Sequence, residues 1–284
     1  MLIIVGFIVV IGSVLGGYVL SHGELLALWQ PFELLIIGGS AFGAFLISNP
    51  PKVVKATFAG VLGTLKGARY KSDDFRDVLA LIYDLLQKVR KEGLISIEND
   101  VENPHESAVF QKYPKVLADH HLVDFITDCL RIMVSGHSDP IELESLLEVE
   151  LETHHHEALA PSHALQKVSD ALPGFGIVAA VMGIVITMGL IGGEVTAIGK
   201  HVAAALVGTF LGILLAYGFV GPLATAMETQ AHQDSKAFEI VKMALVASLR
   251  GYSPAVAVEF ARKLLPSDVR PSFNDLETYL KSPR

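Results

Sequence analysis

Residues 172–192 read LPGFGIVAAVMGIVITMGLIG, a run of 21 residues without an ionisable side chain. At about 1.5 Å of rise per residue, a helix of this length matches the roughly 30 Å hydrocarbon core of a bilayer. Three further apolar blocks comprise residues 2–20, 34–48 and 202–220. The sequence therefore predicts an all-α, polytopic membrane protein with four transmembrane helices and a large helical cytoplasmic region.

The overall composition agrees with this prediction and excludes two other classes of protein. Hydrophobic residues make up 51% of the 284 residues and charged residues 18%, whereas a soluble chain carries about 25% charge. The formal net charge of −8 argues against nucleic-acid binding, which needs a basic surface. The single cysteine, Cys129, excludes an intrachain disulfide. The first block lacks a basic start and exceeds the apolar core of a signal peptide, so we expect it to be retained.

The cations predict how the four helices are oriented. Of the 22 Lys and Arg residues, 21 lie in residues 51–170 or after Pro222, and only Lys200 lies in a loop on the other side. The positive-inside rule assigns the cation-rich side to the cytoplasm, so both termini are expected there. The expected organisation is two transmembrane helices in residues 1–50, a cytoplasmic helical region in 51–170, two more transmembrane helices in 171–222, and a cytoplasmic tail in 223–284.

Several helices are expected outside the membrane. Residues 52–69 alternate cations with apolar side chains, as an interfacial amphipathic helix would. A helical apolar repeat precedes Gly93, and a second one covers residues 122–133. Asp139 followed by Pro140 predicts another helix start, and that helix could continue past Pro161 into the third span. The tail should hold one helix ending near Gly251 and a second from Pro254 to Leu265.

The four apolar blocks contain no Asp, Glu, Lys, Arg or His, although such residues normally mark an ion path through a membrane. If the chain helps to conduct ions, another chain must supply the charged group; otherwise the blocks only anchor it, and their composition alone favours an anchor. Three GxxxG spacings begin at Gly12, Gly39 and Gly208, and they favour close helix packing within one subunit or against a partner. Thr187 and Thr209 either bond back to their own helix or face a hydrated path.

No pattern of catalytic or metal-binding residues stands out in the sequence. His154, His155 and His156 are consecutive on an expected helix and point about 100° apart, so they cannot converge on one metal. The acidic residues that precede them look like a solvated face, part of which could be an interaction surface. No nucleotide-binding motif or nucleophile elbow occurs. We therefore expect neither an enzyme nor a cofactor nor a metal site.

Four stretches resemble the MotA family, the A subunits of the flagellar motor stator, which belongs to the wider MotA/TolQ/ExbB proton channel superfamily. They read ALVGTFLGIL at residues 205–214, LPGFGIVAAVMG at 172–183, KVRKEGLISIE at 88–98, and GYSP followed by VEFAR at 251–262. The resemblance covers nearly the whole chain. It implies a subunit of the bacterial inner membrane that takes part in flagellar rotation.

The resemblance also implies partners. Family members assemble as rings of five A subunits around two copies of MotB, a single-span protein that grips peptidoglycan. MotB would supply the buried aspartate that this chain lacks, and ion flow past it would drive movement against the rotor switch protein FliG. Contact with membrane lipid is expected as well.

The resemblance assigns roles to seven residues. Those expected to engage the rotor are Arg90, Glu98 and, to a lesser extent, Glu150. Those expected to couple conformational change to ion flow are Pro173 and Pro222. Those expected to line the ion path are Ala180 and Thr209, and Ala180 favours protons as the coupling ion because sodium-driven relatives tend to carry threonine there. Without the resemblance, Arg90 and Glu98 would be ordinary surface charges, and the two prolines would simply open and close helices.

Two alternatives remain at this stage. The first is an energising subunit of the ExbB and TolQ type, which is thought to have three spans and to lack the long cytoplasmic region before the third span. The second is a passive membrane anchor or scaffold.

Overall fold

The computed structural model describes residues 2–67, 69–136, 139–189 and 195–282, and every regular element in these ranges is helical. The helices are α1 Leu2–Leu20, α2 Pro31–Ser48, α3 Pro51–Lys66, α4 Ser72–Glu92, α5 Glu98–Glu102, α6 Pro114–Leu117, α7 His120–Val134, α8 Pro140–Met188, α9 Val195–Leu215, α10 Gly221–Leu249, α11 Pro254–Leu264 and α12 Phe273–Lys281. Short 3-10 turns cover Leu25–Leu28, Leu94–Ile97 and Phe110–Lys112, and a π-helical turn covers Ala216–Val220. The predicted fold class is confirmed.

The chain divides into two compact units. Unit 1 comprises Met1–Gly67 and Ala158–Gln230, and unit 2 comprises Ala68–Glu157 and Ala231–Arg284. Four helical segments are long and apolar enough to cross a membrane, as predicted. Residues 190–192, the expected end of the third block, lie outside the described residues.

Unit 1 buries few of its own side chains. Its small core holds five buried residues: Ile37, Ala41, Leu172, Ala179 and Ala216. None of the described residues of α1 is buried, although this helix is almost entirely apolar. In water such exposure would be unfavourable, whereas lipid or other chains can cover the same surface.

Two details of unit 1 differ from the expectations. The interpretation that Pro173 opens a helix and Pro222 closes one is wrong, because Pro173 lies inside α8 and Pro222 lies in the first turn of α10. The helices also extend beyond the apolar blocks, so α2 includes Glu33 in its first turn and α9 includes Lys200. The expected continuation of α8 past Pro161 is confirmed.

Unit 2 is built around a large apolar core. Side chains of α4, α7, α10 and α11 meet in it, and its fully buried members include Leu85, Ile126, Val241 and Ala257. Gly93 ends α4 with φ +86°, a conformation that favours glycine, so the predicted stop is confirmed. At the start of α8, Asp139 Oδ1 accepts the Ile141 N–H at 2.8 Å, as the predicted N-cap requires. Helix α12 has no counterpart in the sequence-based expectations.

We predict that Leu147→Ala lowers the free energy of unfolding of unit 2 by about 2–5 kcal/mol, because Leu147 is fully buried and its truncation leaves a cavity. Leu146→Ala is the matched control on the same helix, since Leu146 is half exposed and should cost well under about 1 kcal/mol. Thermal unfolding of the detergent-solubilised chain measures both changes. Equal losses in the two variants would contradict the described core.

Candidate functional site

Helices α8 and α9 approach each other so closely that only glycine fits at the contact. A Cβ atom on Gly212 would lie 2.7 Å from the carbonyl oxygen of Leu172 and 3.0 Å from the Cα atom of Gly176. A Cβ atom on Gly176 would lie 3.0 Å from the carbonyl oxygen of Gly208. Because these neighbours are backbone atoms, a larger residue would force the helices apart. The two helices are therefore held at backbone contact in unit 1.

The three GxxxG spacings do not serve the same purpose. Gly208 and Gly212 pack against α8 of the same chain, which confirms packing within one subunit for this pair. By contrast, a Cβ atom on Gly12, Gly16 or Gly39 would have no described atom of this chain within 4 Å beyond its own helix and neighbours. Gly43 is equally open. The small residues of α1 and α2 are thus available to another surface.

The structure brings the expected ion-path residues together at this helix contact. Ala180 lies beside Gly208, since a Cβ atom on Gly208 would sit 3.5 Å from the Ala180 nitrogen. Thr209 lies beside Gly176, since a Cβ atom there would sit 3.4 Å from the Thr209 Cα atom. Both residues are half-buried. They occupy neighbouring turns of the same crossing.

The two threonines differ in how their hydroxyl groups are used. Thr187 is buried and donates to the Gly183 carbonyl at 2.8 Å, so for this residue the bond back to its own helix is confirmed. Thr209 makes no side-chain hydrogen bond to any residue that the structure describes. Its hydroxyl group is therefore free to meet an ion, a water molecule or a partner side chain.

Each expected coupling proline removes one helical hydrogen bond, and Pro222 also lies beside a π-helical turn. Pro173 has no N–H, so it cannot donate to the carbonyl of Ser169 one turn earlier. Pro222 directly follows the π-helical turn Ala216–Val220, where the Gly221 N–H reaches back to the Ala216 carbonyl. π-Helical turns inside α-helices occur often at functional sites.

One side chain links the helical turn before Pro173 to the π-helical turn before Pro222. The hydroxyl group of Ser169 donates to the Ala216 carbonyl at 2.9 Å, and Ser169 is 1% exposed. Sequence reasoning missed this residue. A serine four positions before a helix-internal proline was the available signal.

Arg90 and Glu98 lie on unit 2, at the end of α4 and the start of α5. Both side chains are exposed, and neither forms an ion pair or a hydrogen bond with the residues that the structure describes. Arg90 lies in the last turn of α4, where a cation also interacts favourably with the helix dipole. The two charges are available to a partner.

A buried network fixes the backbone that carries these two charges. Lys88 pairs with Asp100 at 2.7 Å, and the Ser107 hydroxyl group donates to the other oxygen of Asp100 at 2.6 Å. Asp100 is only 5% exposed, so its charge is compensated inside the fold. Lys88 therefore has a structural role in this network, whereas Arg90 two residues later makes no ion pair with the residues that the structure describes. Sequence reasoning did not separate these two cations.

Glu150 is half-buried on α8 and lies near α7 rather than beside Arg90 or Glu98. Burial, with the carboxylates of Glu150 and Asp128 nearby, raises the pKa of the Cys129 thiol on α7. On the exposed side of α7, Arg131 binds Glu102 at 2.8 Å and holds the pKa of that carboxyl group below its usual range. Among the described residues, Glu150 makes no direct contact with Arg90 or Glu98.

The consecutive histidines do not form a metal site. Nδ1 of His155 lies 3.2 Å from the Ser235 hydroxyl oxygen, and the ring of His154 packs against Phe238. In the described parts of the chain, no three His, Cys, Asp or Glu side chains gather in a way that could hold a metal ion.

Comparisons with known families agree with this architecture. Residues 117–240 match the MotA/TolQ/ExbB proton channel family, and residues 4–93 match the motility protein A N-terminal family. The fold and the sequence thus define a member of the proton channel class.

Full-length relatives narrow the assignment. The chain is 46% identical to motility protein A of Salmonella typhimurium, over 100% of this chain and 96% of that protein. It is also 46% identical to motility protein A of Escherichia coli, over 99% of this chain and 96% of that protein. The chain belongs to the motility protein A family. An ExbB- or TolQ-like subunit is disfavoured, because the match includes the N-terminal family model and extends over the whole chain.

Two solved structures share the fold. The C. jejuni MotAB structure aligns with a TM-score of 0.77 at 19% identity, and the alignment covers 95% of this chain and 98% of that chain. The flagellar MotAB stator complex from Bacillus subtilis aligns with a TM-score of 0.72 at 22% identity, covering 94% of this chain and 96% of that chain.

We predict that Gly212→Ala destabilises unit 1, because the added Cβ atom meets the Leu172 carbonyl oxygen and forces α8 and α9 apart. Gly199→Ala is the matched control on the same helix, since a Cβ atom there has open space and alanine raises helix propensity by about 1 kcal/mol. Thermal unfolding in detergent should show a loss of stability for the first variant only. A Gly212→Ala variant as stable as Gly199→Ala would refute the close crossing.

Proposed function

We propose that this chain is the A subunit of a flagellar stator, which forms a transmembrane ion channel with a MotB partner and converts ion flow into torque on the rotor. The observation that carries the proposal is the 46% identity to motility protein A over the full chain. The family model for proton channels supports the channel function, and the two MotAB structures of the same fold support the partner.

The ion path requires a charged group from the partner. The crossing of α8 and α9 contains Ala180 and Thr209 but no Asp, Glu, Lys, Arg or His between residues 171 and 189 or between 202 and 227. Proton relays through a membrane normally use titratable side chains at this depth. We therefore assign the proton acceptor to an aspartate of MotB, with the free Thr209 hydroxyl group and Ala180 lining the path. Alanine at position 180 favours protons over sodium.

The available energy is enough to switch a two-state structure. One charge crossing 100 mV releases about 2.3 kcal/mol, so about 150 mV gives about 3.5 kcal/mol. That shifts a two-state equilibrium a few hundredfold. The helical hydrogen bonds that Pro173 and Pro222 cannot make, together with the π-helical turn before Pro222, support a switch located there, because fewer hydrogen bonds must break when these segments move.

Torque is delivered through unit 2. Arg90 and Glu98 are exposed and make no ion pair with the residues that the structure describes, which supports direct charge contacts with the rotor protein FliG. Glu150 contributes less, because it is half-buried and lies apart from the other two. Opposite charges on the rotor would guide the contact while leaving it readily reversible.

The assembly is a ring of five copies around a MotB dimer in the bacterial inner membrane, with both termini in the cytoplasm. The orientation is supported by the 21 cations on one side of the spans. The exposed surface of α1 and the open glycines of α1 and α2 support contacts with lipid and neighbouring subunits.

The rotor contact is tested by charge reversal. Arg90→Glu should impair swimming because it places like charges against the rotor, and reversal of the facing charge on FliG should partly restore swimming. Lys88→Glu is the matched control: it breaks the buried pair with Asp100, so it should lower the yield of folded protein, and the rotor change should not rescue it. Swimming speed and membrane protein level measure these effects. Full motility in Arg90→Glu combined with Glu98→Lys would remove both residues from the torque role.

The ion path is tested with threonine variants of the complex with MotB. Thr209→Val should lower ion flux several-fold at normal assembly, because valine keeps the shape of threonine but removes the hydroxyl group. Thr187→Val should leave flux unchanged, since the Thr187 hydroxyl group only bonds back to Gly183. Proton uptake into liposomes measures both. Equal flux in the Thr209→Val and unmodified complexes would confine Thr209 to packing.

A further inference from the structure

We infer that Ser169 is a positioning residue that mechanically joins the two proline sites, so that α8 and the α9–α10 helix change conformation together. The inference rests on the proposed function, because it gives a physical link between Pro173 and Pro222. Ser169 is uncharged and buried in unit 1, whereas Arg90 and Glu98 belong to unit 2.

The side-chain half of the link is a buried hydrogen bond between two helices. Ser169 is 1% exposed, and its hydroxyl group donates to the Ala216 carbonyl at 2.9 Å. Other buried hydroxyl groups of α8 bond within their own helix, as Ser162 does to Leu159 and Thr187 does to Gly183. The buried hydroxyl group of Ser169 thus forms its hydrogen bond with a neighbouring helical segment and not within α8.

The acceptor of this bond is a carbonyl group in a special position. Ala216 begins the π-helical turn, and its carbonyl also accepts the N–H of Gly221. A carbonyl oxygen has two lone pairs and can hold both donors. The hydroxyl group of Ser169 therefore reinforces the wide turn that directly precedes Pro222. Without it, the turn would be closed at this carbonyl by a single hydrogen bond.

The backbone half of the link lies on α8. Pro173 stands four residues after Ser169 and has no N–H to offer to the Ser169 carbonyl. In the same way, Pro222 stands four residues after Gly218 and cannot donate to the carbonyl of that residue. The Ser169 carbonyl thus lacks the hydrogen bond that Pro173 cannot donate, while the Ser169 hydroxyl group binds the π-helical turn that precedes Pro222.

The space around the Ser169–Ala216 hydrogen bond is too small for a side chain at position 221. A Cβ atom on Gly221 would lie 3.0 Å from the Ser169 hydroxyl oxygen and 3.0 Å from the Ala216 carbonyl oxygen. Glycine at position 221 is therefore needed for the serine to reach its acceptor. The Cβ atom of an alanine at position 221 would crowd both oxygen atoms of this hydrogen bond, so Gly221→Ala is a second way to disturb it.

A mechanical link makes a prediction that differs from that of a mere stabilising contact. If the bond transmits movement, its loss uncouples the two proline sites and lowers the work done by each assembled unit. If the bond only holds the fold together, its loss lowers the number of assembled units. Single motors report the two quantities separately, because each unit that joins a stalled motor raises its torque by one step.

The test is Ser169→Ala in the complete stator with its MotB partner, measured on single motors near stall. We expect a loss of step height, because without this buried hydrogen bond the two proline sites no longer move together, while the number of steps stays unchanged. Ser169→Thr keeps the hydroxyl group and should recover part of the step height. Gly221→Ala should reproduce the loss.

Ser162→Ala is the matched control, because Ser162 is equally buried on α8 but bonds within its own helix. It should keep full step height and step number. A normal step height in Ser169→Ala would overturn the inference, and so would a loss of steps without a change in their height. The Arg90→Glu and FliG reversal pair, run in the same strain, tests the proposed function separately. If that pair behaves as expected while Ser169→Ala is normal, only the role of Ser169 is wrong.

Discussion

The structure of unit 1 depends on the backbone contact between α8 and α9. Lipid offers no hydrophobic drive for helix association, so apolar helices are held together by close packing and by the few hydrogen bonds that reach across. Gly176 and Gly212 supply the close packing, with a gap too small for even one extra carbon atom. This contact sets the positions of Ala180, Thr209 and Pro173, because all three lie on the two helices that cross here. Pro222 lies on α10, just beyond the π-helical turn that follows α9.

The polar groups of this region are used sparingly. The hydroxyl groups of Thr187 and Ser169 are both committed to carbonyl acceptors, which is the expected arrangement where an unpaired polar group is costly. Thr209 is the exception, because its hydroxyl group makes no side-chain hydrogen bond to the residues that the structure describes. A hydroxyl group on a subunit without charged residues in its spans can bind a partner carboxyl group in both protonation states, because it donates to the ionised form and accepts from the neutral one.

The sequence predicted the helices well because their signals are local. Apolar length identified the four spans, and Gly93 and Asp139 marked helix ends through their own backbone preferences. What it did not predict depends on pairs of distant residues. The role of Lys88 requires knowing that Asp100 is buried beside it, and the role of Ser169 requires knowing that Ala216 starts a π-helical turn. Helix α12 was missed because a nine-residue amphipathic helix has a weak signal without the surface that covers it. Ala180 and Thr209 were expected together from the resemblance, and the structure brings them together at the crossing of α8 and α9.

The buried network of Lys88, Asp100 and Ser107 has a mechanical consequence. Arg90 and Glu98 lie at the corner between α4 and α5. The contacts of Lys88 and Ser107 with Asp100 hold these two helices together close to that corner, so a load applied there would meet a rigid segment. The corner also has Ile97 fully buried beneath it. These contacts stiffen the corner, so a load applied there would reach the helical core of unit 2 with little elastic bending.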